Sequence, residues 1–282
     1  MASDQLTDWI GTREEIEDLI TEWPAVALQA TLDFADPPLR VGDELPPLWH
    51  WLYFLPTVPR SGLGPEGHAQ LGGFLPPVSL PRRMFAGGRT EFVAPLRIGQ
   101  RARRRGTVVS VEEKQGRSGA LVFVTVRYEV TTEAGLALRE EQDLVYREAA
   151  KSAEAPKPGT DPIPPGAWTR TITPDEVMLF RFSALTFNAH RIHYDYPYVT
   201  EVEGYPHLIV HGPLSALLLA DLACRDGGRT LQRFAFRGRS PLFADRPFTL
   251  VGGMEDQNRA RLAAWSHDRR LAMTAEAELR AP

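Results

Sequence analysis

The stretch His211-Gly-Pro-Leu-Ser-Ala-Leu-Leu-Leu-Ala-Asp-Leu-Ala-Cys224 decides how the rest of the chain has to be arranged. From Leu214 to Cys224 it is apolar on nearly every side, so it reads as a helix buried all round. Such a helix needs a wrapping, and the chain beyond it supplies one. Strand-like runs follow around 233–236, 248–254, 260–267 and 272–279, with turn signals between them. Just upstream lies Phe182-Ser-Ala-Leu-Thr-Phe-Asn-Ala-His-Arg-Ile-His-Tyr-Asp195, which places Asn188, His190, His193 and Asp195 in one short segment. His207 and His211 follow, so four of the seven histidines fall between 190 and 211. Imidazole is the side chain best suited to moving protons near neutral pH, and this crowding points to an acid–base site.

The first half repeats the plan. Thr12-Arg-Glu-Glu15 has the capping-box pattern, which predicts a helix from 12 to about 20. A second helix is expected after Pro24, covering Val26, Leu28, Ala30 and Leu32. Residues 37–81 are dense in proline, glycine and aromatics; this forbids long regular elements but favours a packed segment, either a covering flap or a channel lining. Strand signals begin at Arg89 and recur at 107–111, 120–130 and 137–146. The basic run Arg101, Arg103, Arg104 and Arg105 reads as a solvated strand end in preference to an anion site. Residues 148–165, with five prolines, read as an interdomain linker.

In the second half Thr173-Pro-Asp-Glu176 is another capping box with Pro174 at the first helical position, continued by Val177, Phe180, Ser183, Ala184 and Phe187. Pro95-Leu-Arg-Ile-Gly99 matches Pro241-Leu-Phe-Ala-Asp245. Together these suggest two copies of one α+β unit: an N-terminal domain over 1–148, a linker over 149–168 and a C-terminal domain over 169–282.

A net charge of -4 over 282 residues gives no reason to expect nucleic acid or an anionic membrane as partner. The lone Cys224 excludes an internal disulfide and fits a reducing compartment. No apolar run approaches the roughly 20 residues of a membrane span, and Met-Ala-Ser-Asp-Gln opens the chain without a basic-then-apolar signal. A soluble cytoplasmic protein is expected.

The segment 182–195 followed by His211-Gly212-Pro213-Leu214 resembles the hydratase motif of the MaoC-like (R)-specific enoyl-CoA hydratases. His50-Trp-Leu-Tyr-Phe-Leu-Pro56, Gly72-Gly-Phe-Leu-Pro-Pro77, Pro81-Arg-Arg-Met84 and Ala86-Gly-Gly-Arg89 resemble a narrower group, the type 2 hydroxyacyl-thioester dehydratases, which include mesaconyl-C4-CoA and itaconyl-CoA hydratases. The resemblance covers nearly the whole chain. It implies a double hot-dog fold, two fused domains each with a helix wrapped by a curved antiparallel sheet. The active site would belong to the C-terminal domain, where the halves meet, and two double hot dogs would pair as a homodimer.

By position, the resemblance puts His193 on the catalytic histidine and Gly212 on the residue that binds the thioester carbonyl. Asn188 falls on the usual aspartate and His190 on the usual asparagine. An amide cannot act as a general base, so Asn188 is assigned to holding water; His190, Asp195 and His211 are supporting residues. A substrate with a second carboxylate needs a cation, and Arg60, Arg82, Arg83, Arg89 and Arg191 are the candidates. The implied partner is an acyl-CoA or acyl-carrier-protein thioester, with no metal and no cofactor beyond the CoA of the substrate. The alternatives are a thioesterase, a metal site at His190-x-x-His193 or His207-x-x-x-His211, and a non-catalytic acyl-binding module.

Overall fold

The structure, a computed structural model, describes residues 6–116, 119–148 and 168–281. The expected linker over 149–167 lies outside the described residues; Trp168, assigned to its end, opens a strand. Among the described residues ten strands form one antiparallel sheet around three α-helices. The first half contains β1 (Arg13–Leu19), α1 (Glu22–Thr31), β2 (Arg82–Phe92), β3 (Arg101–Gly116), β4 (Gly119–Thr132) and β5 (Gly135–Arg147). The second contains β6 (Trp168–Ile172), α2 (Glu176–Leu185), α3 (Gly212–Gly227), β7 (Leu231–Gly238), β8 (Phe248–Met254), β9 (Arg259–Ser266) and β10 (Leu271–Leu279).

The sheet order β1-β3-β4-β5-β2-β7-β10-β9-β8-β6 is a palindrome once each strand is matched to its counterpart in the other half. The centre is the β2–β7 pairing, where Arg89 faces Ala235. The two five-residue motifs occupy equivalent bends. Gly99 N–H donates to Ile20 O (2.6 Å) and Asp245 N–H to Pro174 O (2.7 Å), both from positive φ, 91° and 57°. Leu45 N–H bonds Leu96 O at 2.7 Å, as Val210 N–H bonds Leu242 O at 2.9 Å. The internal repeat therefore extends to individual hydrogen bonds, and the fold is a double hot dog.

The all-round apolar helix is α3, and it is buried as its composition requires: Leu214, Leu217, Leu218, Leu219 and Leu222 are at most 2% exposed. It packs against β6 to β10. Each of these leucines contributes about 1.5–3 kcal/mol by leaving water. The first half departs from the expected pattern here. Its equivalent of α3 is a single 3-10 turn, Trp49–Leu52, because Pro46 and Pro47 stand at its start and Pro56 closes the segment. Trp49, Tyr53 and Phe54, at most 3% exposed, fill the volume with aromatic rings instead. His50 and Glu140 are buried beneath them as a pair, Nε2 to Oε2 at 3.0 Å.

Local expectations are corrected at several points. Residues 13–19 form β1, not a helix. Its glutamates find partners across the strand pair: Glu14 with Arg104, Glu15 with Arg103 and Arg105, Glu17 with Arg103. Cross-strand charge matching of this kind overrides a one-turn capping signal, and the basic run is a paired ladder. The N-cap of α2 is Asp175, whose Oδ1 accepts Met178 N–H at 2.7 Å, with Pro174 left outside the helix. The row Val177, Phe180 and Phe187 is 59%, 64% and 60% exposed, whereas Leu179, Phe182 and Leu185 are buried. Strand β2 also begins at Arg82, ahead of the strand signal at Arg89.

Of the aromatic segment, Leu71, Phe74, Leu75 and Val78 pack on Val108, Val124 and Val126 as a second core.

Candidate active site

The end of α2 starts the site. Phe187, at φ 48°, turns the chain so that Asn188 N–H reaches back to Ser183 O at 2.8 Å. The Asn188 side chain then fixes the next turn, its Oδ1 accepting His190 N–H at 3.0 Å. A 3-10 turn, Arg191–His193, brings His193 inward. That ring is held on three sides: Nδ1–H donates to Ile209 O at 2.7 Å, His211 stacks on its face at 3.7 Å and 17°, and His190 meets it edge-on at 5.5 Å. With the proton on Nδ1, Nε2 carries a lone pair and has no hydrogen-bond partner among the described residues. Burial pushes the His193 pKa down to about 4, the Ile209 carbonyl opposing. Burial, then His193 and Arg83, push His190 down to about 3.

His211 joins these rings to α3. It is fully buried, shares a 2.8 Å hydrogen bond between Nε2 and Ser183 Oγ, and is the N-cap residue of the helix. Gly212 N–H lies ahead of the first intrahelical bond, Ser215 N–H to His211 O, and has no acceptor among the described residues. Pro213 contributes no N–H, so the helix tip presents few donors, with the macrodipole behind them. A Cβ on Gly212 would find only Phe85, at 3.9 Å; that space is left unfilled by the protein.

The five arginines separate. Arg82 is tied to Glu203 (3.0 Å), Arg89 to Glu141 and Asp143, and Arg191 to Asp195 (2.8 Å) while lying over the Tyr198 ring. Arg60 is exposed. Arg83 is half-buried, forms no ion pair among the described residues, and its charge depresses the pKa of both His68 and His190. Asp195 spends its carboxylate on Arg191 and on Tyr198 N–H (3.1 Å), which holds the turn and lowers its own pKa.

His68 carries no motif signal, yet it belongs to the site. It comes from the aromatic segment of the first half, and its ring lies against His190, the centroids 4.1 Å apart and the planes tilted by 43°. The loop is locked over the motif: Arg191 N–H donates to Glu66 O (2.9 Å) and Arg191 Nη1 to Pro65 O (3.1 Å). Gly67, at φ 98°, passes so close that a Cβ would fall 1.8 Å from Ala189 O. That glycine is the one local hint of such an approach.

Neither histidine spacing forms a metal site among the described residues. His211 turns to Ser183, and His207 turns away toward Asp245 (3.6 Å). Glu176, His207 and Asp245 do bring ligand atoms within 4.8 Å of one another. Leu208 N–H, however, donates to His207 Nδ1 (2.9 Å). That leaves the neutral ring's proton on Nε2, where a metal would need a lone pair.

The first half holds a cavity of ≈ 330 Å³ lined by Leu45, Pro46, Pro47, Phe92 and Leu231, with His50 also on its wall. Pro46 and Pro47 stand where the repeat puts His211 and Gly212. Proline has no N–H, so this cavity offers no amide there to a developing oxyanion.

His193, held in one tautomer by Ile209 O and stacked on the N-cap residue of α3, thus sits within a double hot dog. The family described as hydroxyacyl-thioester dehydratase type 2 matches residues 48–244. The chain is 49% identical over 279 residues to mesaconyl-C(4)-CoA hydratase of Chloroflexus aurantiacus, covering 99% of each. Its fold matches HtdX of Mycobacterium tuberculosis (TM-score 0.67, 16% identity, 95% of this chain and 100% of the other). It also matches a conserved hypothetical protein of Mycobacterium tuberculosis with a double hot-dog fold (TM-score 0.62, 15% identity, 96% of each). The chain belongs to the hydroxyacyl-thioester dehydratase type 2 family and is a hydro-lyase of enoyl and hydroxyacyl thioesters. No helix among the described residues is long and apolar enough to cross a membrane.

Proposed function

We propose that the chain reversibly hydrates the CoA thioester of a branched C4-dicarboxylic acid, mesaconyl-C4-CoA or itaconyl-CoA, to citramalyl-CoA. The observation that carries the chemistry is the His193 ring, whose Nε2 has no partner among the described residues and which stacks on His211, the residue before Gly212. On the α,β-unsaturated substrate, mesaconyl-C4-CoA, Nε2 takes a proton from water, the resulting hydroxide adds to the β-carbon, and the electron pair moves onto the thioester oxygen as an enolate. Gly212 N–H and the α3 dipole stabilise that charge. The imidazolium, still donating Nδ1–H to Ile209 O, returns the proton to the α-carbon. Asn188 orients the water through its amide N–H, its Oδ1 being occupied by His190 N–H. The near-full-length identity to a mesaconyl-C4-CoA hydratase supports the acyl group, and Arg83 is the cation for its free carboxylate. The N-terminal domain then supplies pocket and specificity, with the chemistry confined to the C-terminal one. No metal or cofactor enters, and the setting is cytoplasmic. Two copies pair as a homodimer, which light scattering tests.

The test is a screen of crotonyl-, mesaconyl-C4- and itaconyl-CoA that follows enoyl absorbance and free thiol together. Loss of the enoyl signal without thiol, fastest on a dicarboxylic substrate, is expected. Thiol release would mean a thioesterase, and binding without turnover a non-catalytic module.

A further inference from the structure

Of the imidazoles gathered at the site, His68 is the one that comes from the N-terminal domain, and the proposed chemistry does not use it. Its setting is not that of a packing residue. Nδ1 is buried and lacks a hydrogen-bond partner; Glu66 Oε1, the carboxylate nearest to it, is 3.8 Å away, beyond hydrogen-bond reach. Nε2 also has no partner among the described residues. One face of the ring lies on His190. Arg83 bears on the same ring, and β-sheet pairing sets Arg83 directly opposite Tyr146, so that a phenol, not a carboxylate, is the neighbour of its guanidinium.

The order along the cleft is therefore fixed. Gly212 and His211 are at the helix tip, His193 comes next, then His190, then His68 with Arg83. A thioester oxygen at Gly212 puts the α- and β-carbons at His193 and carries the far end of a four-carbon acyl group toward His68 and Arg83. At that end the cation has no carboxylate among the described residues and the imidazole no acceptor. Donors left unpaired in a part-buried position cost free energy unless a ligand satisfies them. A planar carboxylate suits a guanidinium flanked by an N–H donor.

We infer that His68, reaching across from the N-terminal domain, is a specificity residue that binds the free carboxylate of the substrate together with Arg83. This rests on the dicarboxylic reading of the substrate and adds a second point of contact to it. Gly67 is what allows the loop to lie close enough: a side chain there would collide with Ala189 O and lift His68 from His190. Burial and the Arg83 charge keep His68 neutral in the free protein. An incoming carboxylate offsets that charge and accepts the imidazole N–H.

The experiment compares two saturated CoA thioesters as competitive ligands, succinyl-CoA with the carboxylate and butyryl-CoA without it, in wild type, His68→Ala and His68→Gln. Wild type is expected to bind succinyl-CoA more tightly. His68→Ala should weaken succinyl-CoA by about tenfold to a hundredfold, the worth of a hydrogen bond to a charged group, and leave butyryl-CoA within about twofold. His68→Gln, whose amide N–H replaces Nε2–H, should recover most of the loss. Equal weakening of both ligands, or an unchanged preference in His68→Ala, overturns the assignment. A wild type that does not prefer succinyl-CoA overturns the dicarboxylic reading itself, which is a separate outcome.

Discussion

Acidification from pH 7 to pH 5 acts directly on the buried imidazoles. His193 and His190 have pKa values pushed down to about 4 and about 3, against about 6.5 for an unfolded histidine. The sign follows from proton binding: between the folded and unfolded values the unfolded chain takes up more protons, so stability falls as pH falls. The penalty is small at pH 7, opens as pH drops through about 6.5, and at pH 5 reaches about 2 kcal/mol for each group. His68 and His211, whose pKa values also lie well below the ordinary one, push the same way. About 4 kcal/mol is a large fraction of a typical folding free energy. At about 2–4 °C per kcal/mol for a chain this size, Tm should drop by about 8–16 °C. Scanning calorimetry at pH 7, 6 and 5 measures it, and His190→Gln should remove about half of the two-histidine loss. A Tm that moves by less than about 3 °C, or a slope unchanged in His190→Gln, would refute neutral burial of these rings. The same state predicts kcat/KM flat from pH 6 to 8, with an acid limb below about pH 5.

Further outcomes follow from single contacts. His193→Ala should lower hydration by about 10²–10⁴-fold with the circular dichroism spectrum unchanged; wild-type-like turnover would remove it from the mechanism. Asn188→Ala should lose both the water position and the His190 N–H tether, and an unchanged rate would dismiss it. Gly212→Ala meets only Phe85 at 3.9 Å, so Tm should hold while activity falls sharply, and retained activity would place the thioester elsewhere. Gly67→Ala meets Ala189 O and needs a strained φ, so proteolysis within 60–70 should accelerate; an unaltered cleavage rate would show the loop is not locked there. Activity should survive chelation, a loss on chelator treatment contradicting the His207 tautomer.

How much was legible depended on whether the signal was local. The all-round apolar run of α3, the strand alternation and the paired Pro-x-x-x-Gly/Asp bends encode their own environment and indicate two copies of one α+β unit; the double hot dog is what the family resemblance adds. The histidine-rich segment likewise marked itself as a candidate acid–base site, since imidazole is the side chain best suited to moving protons near neutral pH. Residues 13–19 were misread because their glutamates are paired by arginines some 90 positions away, and a capping box says nothing about that. The outward turn of Val177, Phe180 and Phe187 was hidden because spacing reveals a stripe but not which side is covered. Which imidazole nitrogen is free at His193 depended on the Ile209 carbonyl, and which arginine is unpaired depended on where Glu203, Glu141, Asp143 and Asp195 lie. His68 is the plainest case. Apart from Gly67 beside it nothing in its own neighbourhood distinguishes it, and only the closure of one half of the fold on the other, through that glycine, brings it to His190.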